Sequence, residues 1–181
     1  IKVLVVGAGH MGISHARAYS ALPNVEICGV VTRTLGSAEN LLNELGPFPH
    51  FTNLSRALSE ARPDAVSICS YTETHHPFAI EALEAGCHVF VEKPLSENVQ
   101  NARHIVETAQ KFNLKVVVGY ILRHHPSWIK FIEITRSMGS PLVMRMNLNQ
   151  QSKGAKWASH TTLLKTTSHI VDRQVHCSSA L

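Results

Sequence analysis

The chain has 181 residues, 44% of them hydrophobic and 17% charged, which is room for one full domain and part of another. Its mean hydropathy is +0.01, and no apolar stretch approaches the roughly 20 residues that cross a bilayer, so a soluble globular protein with no membrane partner is expected. The net charge of +4 is spread over single Lys and Arg residues with no basic stripe interleaved with aromatics, which argues against nucleic acid.

Lys2–Val6 is a short continuous apolar run, the pattern of a strand buried on both faces. Gly7, Gly9 and Gly12 follow at the spacing Gly-x-Gly-x-x-Gly, and the apolar period over 11–22 predicts a helix. Strand, glycine turn and helix make a phosphate-binding corner. Gly7 permits the tight turn, Gly9 the approach of a pyrophosphate, and Gly12 the close packing of helix on strand. The backbone through His10 and Met11 then offers the helix N-terminus to the phosphates.

Glu26–Val31 reads as the next strand. At its end, about 20 residues past the glycines, an acidic side chain would bind both ribose hydroxyls and favour NAD. Thr32 and Arg33 stand there instead. Arginine pairs with a 2′-phosphate and stacks on adenine, so NADP(H) is the expected cofactor and NAD(H) the alternative.

A helix over 37–45 is stopped by Gly46 and Pro47, and Asn53 caps a helix over Leu54–Ala61 that ends before Pro63. A strand at 65–69, a helix at 77–85 closed by Gly86, and a strand at His88–Val91 come next. Ser96 is the expected cap of a long helix to about 112, followed by a strand at 115–119. This alternation predicts an α/β fold, a Rossmann-type doubly wound parallel sheet with its ligand edge at the carboxyl ends of the strands.

The pattern changes beyond Tyr120. A helix over 127–136 and a turn at Met138 to Pro141 precede a clean alternation at 142–149, with Leu142, Met144, Met146 and Leu148 on one face. That is a one-side-buried strand of the antiparallel type. The expected organisation is a dinucleotide-binding domain over 1–121 and the incomplete start of an α+β substrate and oligomerisation domain over 122–181. The unpaired apolar face predicts a homo-oligomer.

The 12 His residues include the adjacent pairs His75-His76 and His124-His125, which diverge on any regular element. No ligand spacing such as His-Glu-x-x-His occurs, so no metal is expected. Cys28, Cys69, Cys87 and Cys177 lack Cys-x-x-Cys spacing; buried reduced thiols and a cytoplasmic location are the simplest reading.

The strand His88–Val91 runs into Glu92-Lys93-Pro94. Here the chain resembles the glucose-fructose oxidoreductase / inositol dehydrogenase / MocA family. The resemblance is carried by Gly7 to Gly12, by Ser70-Tyr-Thr-Glu-Thr-His75, by Ala85-Gly-Cys-His-Val-Phe-Val-Glu92-Lys93-Pro94, by Gly119-Tyr-Ile-Leu-Arg123, and by the late Asp172 and His176. It implies an NAD(P)-dependent dehydrogenase acting on a sugar, polyol or cyclitol-like hydroxyl or carbonyl. Lys93 would contact the reacting oxygen, and a cis peptide is expected before Pro94 in this tight turn. Ser70, His75, Glu92 and Arg123 would join the cofactor site. Asp172 and His176, spaced i, i+4 on one helix face, would complete the catalytic set.

Two departures from the family stand out. Gln174 replaces its usual glycine before the His, and Cys177 to Leu181 close the chain where the family's helix and large open sheet follow. The alternative to an enzyme is therefore a catalytically incompetent nucleotide-binding fragment of one.

Overall fold

A computed structural model describes residues 1–140 and 143, in two units, Ile1–Gly119 and the segment from Tyr120 onward. In the first unit β1 (Lys2–Val6), β2 (Glu26–Val31), β3 (His50–Phe51), β4 (Ala65–Ile68), β5 (His88–Val91) and β6 (Val116–Val118) form one parallel sheet. Its order is β3-β2-β1-β4-β5-β6, so the winding reverses between β1 and β4. Such a reversal opens a crevice at the carboxyl ends of the strands.

Five helices cover the two faces: α1 (His10–Ser20), α2 (Glu39–Leu45), α3 (Leu54–Ala61), α4 (Thr72–Glu84) and α5 (Val99–Lys111). Alternate β1 residues divide between the faces. Leu4 and Val6 pack with Leu54, Ala79, Leu83 and Ile105 of α3, α4 and α5. Val5 packs with Ala16 and Leu41 of α1 and α2. Burial on both faces is why these strands read as continuous apolar runs. The doubly wound expectation holds. Among the described residues no helix is long and apolar enough to cross a membrane.

Several element boundaries differ from the expected ones. Helix α4 begins at Thr72 and contains Pro77, which had marked its start. Thr72 and His75 are buried, and packing this extra turn outweighs the backbone bond that proline forgoes. The cap of α5 is Asn98, whose side chain accepts from the Asn101 N–H at 2.8 Å, while Ser96 Oγ donates to the Asn98 carbonyl at 2.6 Å. Strand β3 has two residues, too few for any periodicity, and exists through pairing of Val30 with His50 and Val31 with Phe51. Residues Leu35–Ser37 form a 3-10 turn ahead of α2.

In the second unit a 3-10 turn (Ile121–His124) leads to α6 (Pro126–Ser137), where His125 Nδ1 accepts from the Ser127 N–H. Apart from Val143, the strand expected at 142–149 lies outside the described residues, as do Asp172, Gln174, His176 and Cys177.

The glycine corner explains its own composition. Gly7 has φ +92°, and a Cβ there would lie 2.8 Å from the Cys69 carbonyl oxygen. A Cβ on Gly12 would lie 1.9 Å from the Gly7 carbonyl oxygen, whereas one on Gly9 would meet nothing within 4 Å. The first turn of α1 thus lies directly against the Gly7 backbone at Gly12, while Gly9 has open space beside it. Gly12→Ala is expected to cost about 1–3 kcal/mol in chemical unfolding, and Gly9→Ala about 0.5 kcal/mol or less. Equal losses in the two variants would contradict this division.

Candidate dinucleotide and catalytic site

The six strands end in step. Phe51, Val31, Val6, Ile68, Val91 and Val118 stand side by side. The residues that follow continue the ladder: Thr32 N–H donates to Phe51, Gly7 to Val31, Cys69 to Val6, Glu92 to Ile68 and Gly119 to Val91, all at 2.8–3.0 Å. Thr32, Gly7, Cys69, Glu92 and Gly119 therefore form one row along the carboxyl edge, and the candidate site is built on it.

At the centre of that row α1 starts from Gly9, an exposed N-cap with extended backbone. It has no side-chain cap and no acidic residue in its first turn. The first N–H groups of a helix have no intrahelical partner. Those of His10, Met11 and Gly12 are thus suited to an anion, and the space where a Gly9 Cβ would stand is clear. The cradle fits a pyrophosphate.

On one side lie Thr32 and Arg33. Thr32 is buried, and its hydroxyl donates to the Thr34 carbonyl at 2.7 Å and accepts from His50 Nε2 at 2.8 Å. Its hydroxyl is committed to the protein, so Thr32 shapes this loop from within. Arg33 is exposed, with its guanidinium 5.9 Å from the centre of the Tyr71 ring. The cation and the aromatic ring form the open end of the edge.

On the other side β5 delivers Glu92, Lys93 and a cis Lys93–Pro94 bond, as expected. Glu92 is 7% exposed. Its Oε1 accepts from His15 Nε2 at 3.0 Å and its Oε2 from the Lys93 N–H at 3.2 Å. His15 Nδ1 lies 3.1 Å from Ser67 Oγ and 3.3 Å from Cys69 Sγ, and Tyr19 donates to Ser67 Oγ at 3.1 Å. Burial opposes a charged His15, but the contacts with Cys69 and Glu92 outweigh it and raise its pKa to about 9. Burial likewise pushes Glu92 up, and His15 with Lys93 brings it below the usual carboxylate value. The result is a buried imidazolium–carboxylate pair.

His75 is 1% exposed, with Nδ1 donating to the Pro94 carbonyl at 2.7 Å and Nε2 3.1 Å from the Ser70 carbonyl. It ties the loop after β4 to the turn after β5 from below. Both ring nitrogens face backbone, so His75 acts here through the loops that it holds. Ser70 Oγ shares a 2.7 Å hydrogen bond with Thr74 Oγ1. In the second unit, Arg123 has its guanidinium 5.6 Å from the centre of the Tyr120 ring.

His15, Ser67, Cys69, His50 and Tyr71 belong to this edge and were not among the expected site residues. One signal pointed to part of the set: Ser67 is a polar residue inside an apolar strand, and a buried hydroxyl demands a partner. His15 on α1 supplies it.

The pair also makes stability depend on pH. His15 binds its proton more tightly in the folded chain (about 9) than as an unperturbed imidazole (6.5). Its contribution is therefore complete below pH 6.5 and is lost as pH rises through about 9. Between about pH 7 and pH 9.5 the wild type should lose about 1–2 kcal/mol more than His15→Gln in parallel urea titrations. Parallel pH profiles for the two proteins would remove His15 as the source.

A model of the oxidoreductase family with an NAD-binding Rossmann fold matches residues 1–120. D-glucoside 3-dehydrogenase of Escherichia coli (strain K12) is 33% identical over 125 residues, 68% of this chain and 35% of that protein. Inositol 2-dehydrogenase of Paracoccus denitrificans (strain Pd 1222) is 26% identical over 176 residues, 95% and 52% of the two chains. Among solved structures, scyllo-inositol dehydrogenase from Lactobacillus casei, with bound cofactor NAD(H) and scyllo-inositol, matches with a TM-score of 0.70 at 26% identity, over 76% of this chain and 41% of that one. The chain spans about half or less of the length of these relatives. With the glycine corner, the reversed sheet and Glu92-Lys93-Pro94 all inside the matched region, this chain belongs to the Gfo/Idh/MocA oxidoreductase family with an NAD-binding Rossmann fold.

Proposed function

We propose that the chain is the cofactor-binding and lysine-bearing part of an NAD(P)-dependent dehydrogenase acting on a sugar, polyol or cyclitol-like hydroxyl or carbonyl. The observation that carries this reading is the shared edge: Lys93 directly follows Glu92, which stands in the same row as Gly7 of the glycine corner. A dinucleotide laid across the reversal point has its phosphates on α1 and its reacting ring toward β4 and β5. When bound, the nicotinamide supplies a hydride acceptor for oxidation or a hydride donor for reduction.

The protein's own part is to handle the proton and the charge on oxygen. The Lys93 amine takes the proton of a substrate hydroxyl, or as an ammonium stabilises the alkoxide. Glu92 holds the Lys93 backbone by its N–H, and His75 holds the next carbonyl. The lysine therefore leaves the sheet edge from a fixed point. Asp172 and His176 are proposed to complete the catalytic set, and Lys93, Asp172 and His176 together would define the reacting centre. The segment 122–181 is proposed as the start of a substrate and oligomerisation domain.

For the cofactor we favour NADP(H). No carboxylate stands at position 32, and the exposed Arg33 beside Tyr71 offers a cation and an aromatic face where the adenosine end lies. Arg33→Ala is expected to weaken NADP(H) about tenfold or more, the loss typical of a charge-assisted bidentate contact, and to leave NAD(H) nearly unchanged. Fluorescence titration with each dinucleotide measures this, and equal affinities of the wild type for the two would refute the preference.

The reaction is tested by a screen of sugars and cyclitols with both oxidised cofactors. Where turnover is seen, Lys93→Met should lower kcat by about 10²–10⁴ with cofactor affinity retained. Loss of affinity in proportion to turnover would make Lys93 a cofactor-positioning group. Binding of cofactor with no turnover on any substrate would leave the chain as a nucleotide-binding unit.

A further inference from the structure

The pair His15–Glu92 takes no part in the proton chemistry above, yet it is enclosed beside Lys93. Both Glu92 oxygens are engaged, by His15 Nε2 and by the Lys93 N–H. Gly119 closes the remaining side, where even a Cβ would come within 3.0 Å of the carboxyl carbon. His15 is held as firmly, between Ser67 Oγ and the Phe90 ring, whose centre is 4.8 Å away in an edge-on contact. The titratable and charged groups around His15 are Tyr19 on its own helix, Cys69 after β4, and Glu92 with Lys93 after β5. A buried ion pair is a weak source of stability, because apolar residues of equal volume serve as well. What it does provide is a carboxylate that is fixed in place and electrically compensated.

Oxidised and reduced nicotinamide dinucleotides share their adenosine, riboses and phosphates and differ by one positive charge on the ring. A fixed charge at the end of β5 therefore acts on the ratio of the two affinities, while interactions common to both forms cancel. We propose that His15, by neutralising Glu92 beside Lys93, sets the preference of the site between oxidised and reduced cofactor. This rests on the reading of the edge as a nicotinamide dinucleotide site. Without the imidazolium the carboxylate faces the edge uncompensated, and the cationic, oxidised ring gains.

The test is calorimetric or fluorescence titration of the 181-residue chain with the oxidised and the reduced form of the tighter-binding dinucleotide, near neutral pH. His15→Gln keeps a hydrogen-bond donor toward Glu92 and removes the charge. It should shift the ratio of dissociation constants toward the oxidised form by about fivefold. The double variant His15→Gln with Glu92→Gln should restore the ratio to within twofold of wild type, and Glu92→Gln alone should leave it unchanged or move it toward the reduced form. An unchanged ratio in folded His15→Gln overturns the proposal, as does a double variant that keeps the shift. Should His15→Gln fail to fold, a shift toward the oxidised form in Glu92→Gln or in the double variant overturns it. A wild type that binds neither form sinks the dinucleotide reading and this inference together, whereas one that binds both with a ratio indifferent to the pair sinks this inference alone.

Discussion

Everything in the site depends on the strands ending in register. The ladder continues for one residue past the last full pair, so that Thr32, Gly7, Cys69, Glu92 and Gly119 are bonded across the sheet as a single row. A row of backbone bonds in a sheet packed on both faces is hard to deform, because moving one strand end breaks bonds to both neighbours. The loops that follow inherit this rigidity at their first residue. Arg33, Gly9, Ser70 and Lys93 each lie one or two residues beyond the row, close enough for the sheet to set their positions and far enough to reach a ligand.

The parts of this architecture that were legible in the residues are those with redundant signals. The strand Lys2–Val6 has its apolar run, its three glycines and its following helix, which agree with one another. The reversed sheet follows from alternation of element type, which tolerates errors of several residues at any boundary. What was not legible depended on contacts distant in sequence. Thr72 and His75 draw a turn into α4 ahead of Pro77 through burial against elements formed elsewhere, and local rules favour proline at a helix start. Asn98 rather than Ser96 caps α5, although both are good capping residues and only the direction of the chain decides between them. Strand β3 is a partner of β2 before it is anything in itself.

The site divides along the same line. The turn that carries Lys93 stood out through the family resemblance of Glu92-Lys93-Pro94 at the end of a strand. His15 did not, because a histidine five positions into an amphipathic helix carries no mark of the carboxylate that it meets 77 residues later. His75 and His76 diverge as adjacent residues on a regular element must: one ring is 1% exposed and the other reaches His104 at 3.0 Å. Adjacent residues on a helix point about 100° apart, so one histidine can serve the interior while its neighbour meets solvent.

Placement of the lysine shows how these layers combine. Its N–H is bonded to Glu92 Oε2, and the carbonyl of the following residue is bonded to His75 Nδ1. Glu92 is in turn fixed by His15, which α1 supplies, and His75 by the turn that α4 supplies. Two helices on opposite faces of the sheet therefore grip the same three-residue turn, one from each side. Under the role proposed for Lys93, tight control of the backbone at this point is what proton transfer asks for, since a reacting group displaced by about 1 Å can lose a hundredfold in rate. The grip comes from side chains that never need to touch a substrate. They can stay the same while other residues change.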